Sequence, residues 1–427
     1  MALEAQPTGA GAEKYANVPT ALDEPQVNVR ARWTTAVVLV NVGINAAFFG
    51  PIQVLLGQQA IAMDEANKEG ILALVTGCGA AVSLVANPLF GTFSDRTTSR
   101  FGRRIPWVLL GAILGVIGLL GLAVAPTVAA MAALWCVVQL GCNGALAAIT
   151  AAVPDRVPIR QRGTIGGMAS MGTVLGILVG AAIAAAVGTN FVPGYAVCAA
   201  VLLLGVLYYL FVGEDQRLDP ALRPAFSWHA FFTGFWVSPR KYPDFGWAWI
   251  TRFLVNVGNH LVTLYLLFFL RDAVGYDSPE LGVLILTGIY AIMTLITSVI
   301  GGRWTDRVGR RKPFVIGSSV IIALAALILA FFPTWAGALV GAAVLGVGYG
   351  AYLAVDFALL TQVLPSALSR GKDLGVINVA NSLPQVIAPV IAFPLVYSLG
   401  GYVTLYVVAA VIGLLGAVFV VKIRGVD

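Results

Sequence analysis

From residue 33 almost to the end, the chain alternates long apolar runs with short clusters rich in Gly, Pro, Asp and Arg. About 20 mostly apolar residues suffice for an α-helix to cross the hydrocarbon of a bilayer. The runs predict twelve such helices, over 33–62, 70–94, 105–126, 127–153, 164–187, 191–213, 247–270, 278–302, 313–333, 334–364, 374–398 and 399–422. The expected class is an all-α membrane protein. The longest polar gap separates six predicted spans from six. The chain then divides into a tail over 1–30, a first bundle over 31–213, a linker over 214–246 and a second bundle over 247–427. The tail is polar and has no apolar stretch with a cleavage site, so it reads as a cytoplasmic extension and not as a signal peptide. Inside the linker, Trp228, Phe231, Phe232 and Phe235 recur at helical spacing ahead of Arg240 and Lys241. This is the pattern of a short helix lying in the membrane interface, and equally that of a loosely packed connection.

Lys and Arg set the orientation. With an even number of spans both ends share one side, and the tails and loops of that side carry nearly all the basic residues, from Lys14 and Arg30 to Lys422 and Arg424. The opposite side holds Lys68 and Arg271, and Arg252 lies inside the seventh run. The positive-inside rule makes both termini cytoplasmic, in a multi-pass protein of the cell (plasma or inner) membrane. Composition agrees. Apolar residues make up 59% of the chain and charged ones 11%, against about 25% charged in a soluble domain. That balance excludes a soluble enzyme, a nucleic-acid reader and a disordered chain. The net charge of +6 sits in short clusters between the runs, so it is no nucleic-acid footprint. Cys78, Cys136, Cys142 and Cys198 fall inside the runs with no metal-ligand spacing and read as small buried packing residues. No nucleotide loop, metal cluster or nucleophile–base pair stands out, so neither an enzyme nor a cofactor is expected.

The two halves repeat. Gly91-Thr-Phe-Ser-Asp95-Arg96 answers Gly302-Arg-Trp-Thr-Asp306-Arg307 at an offset of 211. Gly102-Arg103-Arg104 answers Gly309-Arg310-Arg311 at 207, Pro106 answers Pro313 at 207, and Arg162-Gly163 answers Arg370-Gly371 at 208. Each element recurs at the same place in its half, as two six-helix bundles in parallel repeat would require. The doubled Gly-x-x-x-Asp-Arg…Gly-Arg-Arg pattern resembles the signature loop of the major facilitator superfamily. More narrowly, Asp95-Arg-Thr-Thr-Ser-Arg-Phe-Gly-Arg-Arg-Ile-Pro106 and Asn378-Val-Ala-Asn-Ser-Leu-Pro384-Gln385 are similar to stretches of the glycoside–pentoside–hexuronide and sucrose-type cation symporters. The resemblance implies alternating access by a monomer. It also implies a cytoplasmic gate at Asp95, Arg96, Arg103, Asp306, Arg307 and Arg310, in which each aspartate faces the start of a helix of the other half.

Polar residues inside the runs sharpen the picture. The third, sixth, ninth and twelfth spans have no amide, His or charge at depth. Asn41 and Asn45 lie in the first, Gln139 and Asn143 in the fourth, and Arg252, Asn256, Asn259 and His260 in the seventh. Tyr349, Tyr352 and Asp356 lie in the tenth, and Asn378, Asn381 and Gln385 in the eleventh. Each set keeps to one face of a helix. Polar groups facing hydrocarbon are costly, so these faces should look into a wet passage or hydrogen-bond to neighbouring helices. Amides, phenols and an imidazole both donate and accept, which suits a neutral polyhydroxylated solute. The candidate substrate contacts are Asn41, Asn45, Gln139, Asn143, Asn256, Asn259, His260, Tyr352, Asn381 and Gln385.

Asp356 is the acid well inside a run, nine residues before Pro365, or roughly 13 Å along a helix. With Arg252 it is the candidate coupling site for a proton, or else a static ion pair. The expected function is secondary active transport of a small polar solute, of sugar or glycoside type, driven by a coupling proton. A proton-coupled drug or metabolite efflux antiporter is the alternative, and a membrane receptor or scaffold a third reading. Three prolines in the eleventh run, Pro384, Pro389 and Pro394, permit bending. Gly172, Gly176 and Gly180 in the fifth form a ridge for close packing.

Overall fold

Polar and turn residues at the ends of the runs set where each helix begins and stops. Pro106, Pro243 and Pro313 occupy first turns, where a missing amide hydrogen costs nothing. Thr127 caps its helix by accepting from the Ala130 amide at 3.2 Å. Gly213 and Gly275 close theirs at φ of 62° and 66°, in the left-handed region. The computed structural model of the protein describes residues 25–223, 227–228, 240–308, 311–362 and 370–423.

The helices are α1 (Ala31–Met63), α2 (Lys68–Asp95), α3 (Ile105–Ala123), α4 (Val128–Arg156), α5 (Ile159–Val187) and α6 (Phe191–Val212). They continue as α7 (Pro243–Leu264), α8 (Pro279–Val308), α9 (Lys312–Phe331), α10 (Trp335–Gln362), α11 (Arg370–Ser398) and α12 (Gly401–Val420). Among the described residues ten are long and apolar enough to cross a membrane, and α7 with its bent extension Leu266–Val274 would be an eleventh. Several helices overrun their apolar stretch, α5 by five residues at its start, because backbone hydrogen bonding continues past the edge of the hydrocarbon. The interface segment at Phe231, Phe232 and Phe235 lies outside the described residues.

Two helices depart from the expected straight rods. In α1 a π-helical turn runs over Pro51–Leu55. The seventh run bends by 41° at Tyr265 and ends in a second π-helical turn, Phe269–Val274. Neither Pro nor Gly marks the break at Tyr265, so spacing alone does not reveal it.

Within the first half α1 lies against α5 and α6, and α4 against α2 and α3. Within the second, α10 packs on α8 and α9, and α7 on α11 and α12. Contacts between the halves run through α2 with α11 and α5 with α8. The glycine ridge of α5 seats on α1. A Cβ at Gly176 would stand 2.6 Å from the Val42 carbonyl oxygen, so only Gly permits this approach. Gly176→Leu should cost about 1–3 kcal/mol by overpacking. A fall in melting temperature of the purified protein checks it, and an unchanged temperature would show that the contact is dispensable. Exposed apolar side chains such as Ile117 of α3, Leu204 of α6, Leu324 of α9 and Val418 of α12 face outward, as a lipid-facing surface requires. Of the four cysteines expected to be buried, Cys142 and Cys198 are, Cys136 is half-buried and Cys78 is exposed.

Candidate functional site

A cavity of about 1120 Å³ lies between α1, α2, α4 and α5 on one side and α7 and α11 on the other. It is slightly larger than the usual range of small-molecule sites. Of the ten predicted contacts, Asn41, Asn45, Gln139, Asn143, His260 and Gln385 line it. Local hydrogen bonds orient the amides. Asn41 donates to the Val37 carbonyl at 2.9 Å and Asn45 to the Asn41 carbonyl at 2.8 Å. Asn143 donates to both the backbone and side-chain oxygens of Gln139 at 2.8 Å. With their NH₂ groups tied one turn back, these three asparagines keep their side-chain oxygens for the cavity. The first-half wall is therefore rich in acceptors and matches a solute rich in donors.

The other predicted residues of α7 and α10 join a different network. Arg252 pairs with Asp356. The Tyr352 hydroxyl donates to Asp356 Oδ1 at 2.6 Å. Asn256 donates to the Arg252 carbonyl at 3.0 Å and accepts from the Tyr349 hydroxyl at 3.0 Å. Asn259 accepts from the Tyr290 hydroxyl of α8 at 3.4 Å. All these acids and amides are buried, and none of Arg252, Asn256, Asn259, Tyr352 or Asp356 is on the cavity wall. The polar stripe of α7 thus divides, with His260 turned to the cavity and the rest spent on neighbouring helices. The side chain of Asn381 lies outside the described residues.

Further polar residues on the wall escaped sequence reasoning: Gln53 of α1, Thr76, Ser83, Asn87 and Thr92 of α2, Ser170 and Thr173 of α5, and Thr263 of α7. Thr76, Ser83 and Asn87 have helical offsets of 0, 7 and 11 and share one face. They are hard to see because small hydroxyls satisfy themselves inside a helix. Thr76 donates to the Leu72 carbonyl at 2.6 Å and Ser83 to that of Ala80 at 2.7 Å.

The cavity is sealed at the end away from the arginine-rich loops. There Gln58 donates to the Glu280 carboxylate, and Lys68 pairs with Asp272 at 2.6 Å. The Tyr265 hydroxyl donates to the Glu69 carbonyl at 3.0 Å, and Arg271 pairs with Glu65 at 2.5 Å. Gly57 of α1 abuts Leu267 and Phe268. Every one of these contacts joins the first half to the second.

At the basic end several ion pairs join residues of the first half and the start of the linker. Asp95 pairs with Arg104 at 2.6 Å, and Asp155 holds Arg103 at 2.5 Å and Arg104 at 2.7 Å. Glu214 bridges Arg32 at 2.6 Å and Arg156 at 2.8 Å. Partial burial pushes the Glu214 carboxyl up, but these two guanidinium groups outweigh it and hold it below the usual carboxylate range. Asp215 accepts from the backbone amides of Arg104 and Ile105, capping α3. The loop glycine Gly102 is required twice over, by a φ of 100° and by Asp215, which a Cβ would strike. In this arrangement Asp95 is tied to its own loop, its side chain 55% exposed. Arg96 follows the end of α2 and Arg307 lies in the last turn of α8. Asp306 and Arg310 have no described side chains. Thr92, Val153, Pro154 and Gly166 carry the cavity wall towards this basic end.

Bundled apolar helices around a polar cavity closed at one end are the architecture of a polytopic membrane protein. Residues 35–286 and 261–427 match the Major Facilitator Superfamily, and the chain belongs to that family. It is 25% identical to the ectoine/proline transporter ProP of Corynebacterium glutamicum over 346 residues, 71% of this chain and 66% of that one. It is 29% identical to the multidrug transporter AQR1 of Candida glabrata over 164 residues, 38% of this chain and 27% of that one. It is also 29% identical to a myo-inositol transporter of Cryptococcus neoformans over 199 residues, 40% of this chain and 33% of that one. The chain thus matches less than two thirds of each relative's length. Among solved structures, a POT family transporter in complex with 5-aminolevulinic acid superposes with a TM-score of 0.75 at 12% identity, over 94% of this chain and 98% of that one. The family and the long apolar helices make the chain a multi-pass membrane protein.

Proposed function

We propose that the protein is a secondary active transporter that moves a small neutral polar solute, of sugar, glycoside or polyol type, by alternating access coupled to protons. One observation carries this reading. Amide and imidazole side chains from both halves converge on one cavity that is sealed at the end away from the basic loops. An acceptor-rich wall favours a hydroxyl-rich solute, and the myo-inositol transporter among the relatives is in keeping with it. In this proposal the chain has twelve spans, in two six-helix bundles over 31–213 and 247–427 joined by the linker 214–246. Both termini are cytoplasmic, in the cell membrane, and the monomer is the working unit. The described state is then open to the cytoplasm. Asp95 and Asp306 would act as an inter-half clamp when the basic end closes, each acid gaining from a facing helix N-terminus. The narrower kinship to glycoside–pentoside–hexuronide and sucrose-type symporters belongs to the same proposal.

A second reading, proton-coupled efflux, draws on the multidrug relative and on the apolar wall residues Phe48, Phe49, Ile52, Leu84 and Leu146. Proteoliposomes separate the two. Symport predicts that myo-inositol or sucrose accumulates under an inward proton gradient and that a protonophore abolishes accumulation. Extrusion of a lipophilic cation without sugar uptake would replace the first reading with the second.

A further inference from the structure

Several buried side-chain polar atoms lack a partner among the described residues, and of these Gln53 Oε1 is the one on the cavity wall. It sits in the π-helical turn Pro51–Leu55, and such turns recur at functional sites. A π turn advances about 80° per residue instead of 100°, so it swings Gln53 towards the face that carries Asn41 and Asn45. The turn is held from both sides. Below it, a Cβ at Gly50 would touch Gly180 of α5, and above it Gly57 meets Leu267 and Phe268 of the other half. Gln53 is thus a wall residue five positions before Gln58, whose amide donates to the Glu280 carboxylate in the seal. Thr263 and His260 line the same cavity from α7.

We infer that Gln53 is a solute-contacting residue on the wall of the cavity. It would select solutes that bring a hydroxyl or ammonium donor to that point. In the described rotamer Oε1 is buried, and turning the end of the side chain, which exchanges oxygen and nitrogen, brings it to the cavity to meet a donor while the backbone stays in place. A site built to accept a hydrogen bond rejects an analogue that lacks the donor, because its own polar group is then left unpaired. The inference rests on the reading of the cavity as a solute site, but it extends to ammonium donors and so does not require a sugar.

The test is equilibrium binding to the purified full chain, followed by intrinsic fluorescence and thermal shift, with myo-inositol, sucrose, ectoine and proline as probes. For whichever probe binds, Gln53→Leu should raise Kd about tenfold or more. The melting temperature without ligand should stay within about 2 °C, since no protein partner is lost. Should sucrose or myo-inositol bind and Gln53→Leu leave Kd within about twofold, the inference is overturned while the sugar reading stands. Should ectoine or proline alone bind, with the tenfold loss, the sugar reading falls and Gln53 keeps its role. A large drop in melting temperature with Kd unchanged would assign Gln53 to packing and overturn the inference.

Discussion

Lys68→Met should open the sealed end of the protein. Lys68 is buried between the halves, 2.6 Å from Asp272 and 3.9 Å from Glu69, with its ammonium 5.5 Å from the Phe268 ring centre. Its removal leaves two acids, one from each half, facing one another without a cation. Removing one partner of a buried pair costs about 3–5 kcal/mol. Here Asp272 keeps 30% of its side-chain surface, and solvent screening brings the expected cost down to about 2 kcal/mol. That is roughly a thirtyfold change in the ratio of states, because the lost contact exists only when the end is closed. The measurement uses a chain whose four native cysteines are replaced and whose cavity residue Thr173 is changed to Cys. A membrane-impermeant thiol reagent, added from the side opposite the basic loops, should react about tenfold faster or more in the Lys68→Met background. Adding Asp272→Asn should restore part of the closure, since the repelling acid is gone. Unchanged labelling from that side would mean that the seal does not depend on this charge.

The fold was largely legible because hydrocarbon is a demanding solvent. Every backbone group must be paired within its own segment, so a run of about 20 apolar residues leaves little but a helix. The glycine ridge of α5 was legible for a related reason, since its spacing already puts three small residues on one face. The bend at Tyr265 was not. It coincides with a contact far away in the chain, the bond from the Tyr265 hydroxyl to the Glu69 carbonyl, which local spacing does not show.

The candidate site was half legible. A polar stripe tells which face of a helix avoids lipid, but lipid is avoided equally well by facing a cavity or a partner helix. Asn41 and Asn256 look alike in sequence, yet one lines the cavity and the other spends both ends of its amide on Arg252 and Tyr349. The seal was missed altogether. Gln58, Lys68, Glu69, Asp272 and Glu280 sit at helix tips, where charge is unremarkable, and only the tertiary arrangement brings them together.

The pair Arg252–Asp356 is the other place where one substitution should have a large effect, and a pair of substitutions separates its two readings. Asp356 is buried and Arg252 largely so within the second half, the Asp356 carboxylate also taking the Tyr352 hydroxyl. Arg252→Met or Asp356→Asn alone leaves one buried group without its counterpart, at about 3–5 kcal/mol each. Both variants should express poorly and melt early. The double variant Arg252→Met/Asp356→Asn removes both charges and should recover much of that loss, since a buried pair replaced by neutral groups of similar volume is often close to neutral. Transport then decides the role. In a static brace, the recovered double variant accumulates solute under a proton gradient as the wild type does. In a coupling site, it folds and exchanges solute by counterflow but no longer accumulates solute or responds to pH, because the group that carries the proton is absent. Coupling is the outcome expected here. Asp356 is the acid deep in a helix of this half, and its ties to Arg252 and Tyr352 give a proton somewhere to arrive and something to displace.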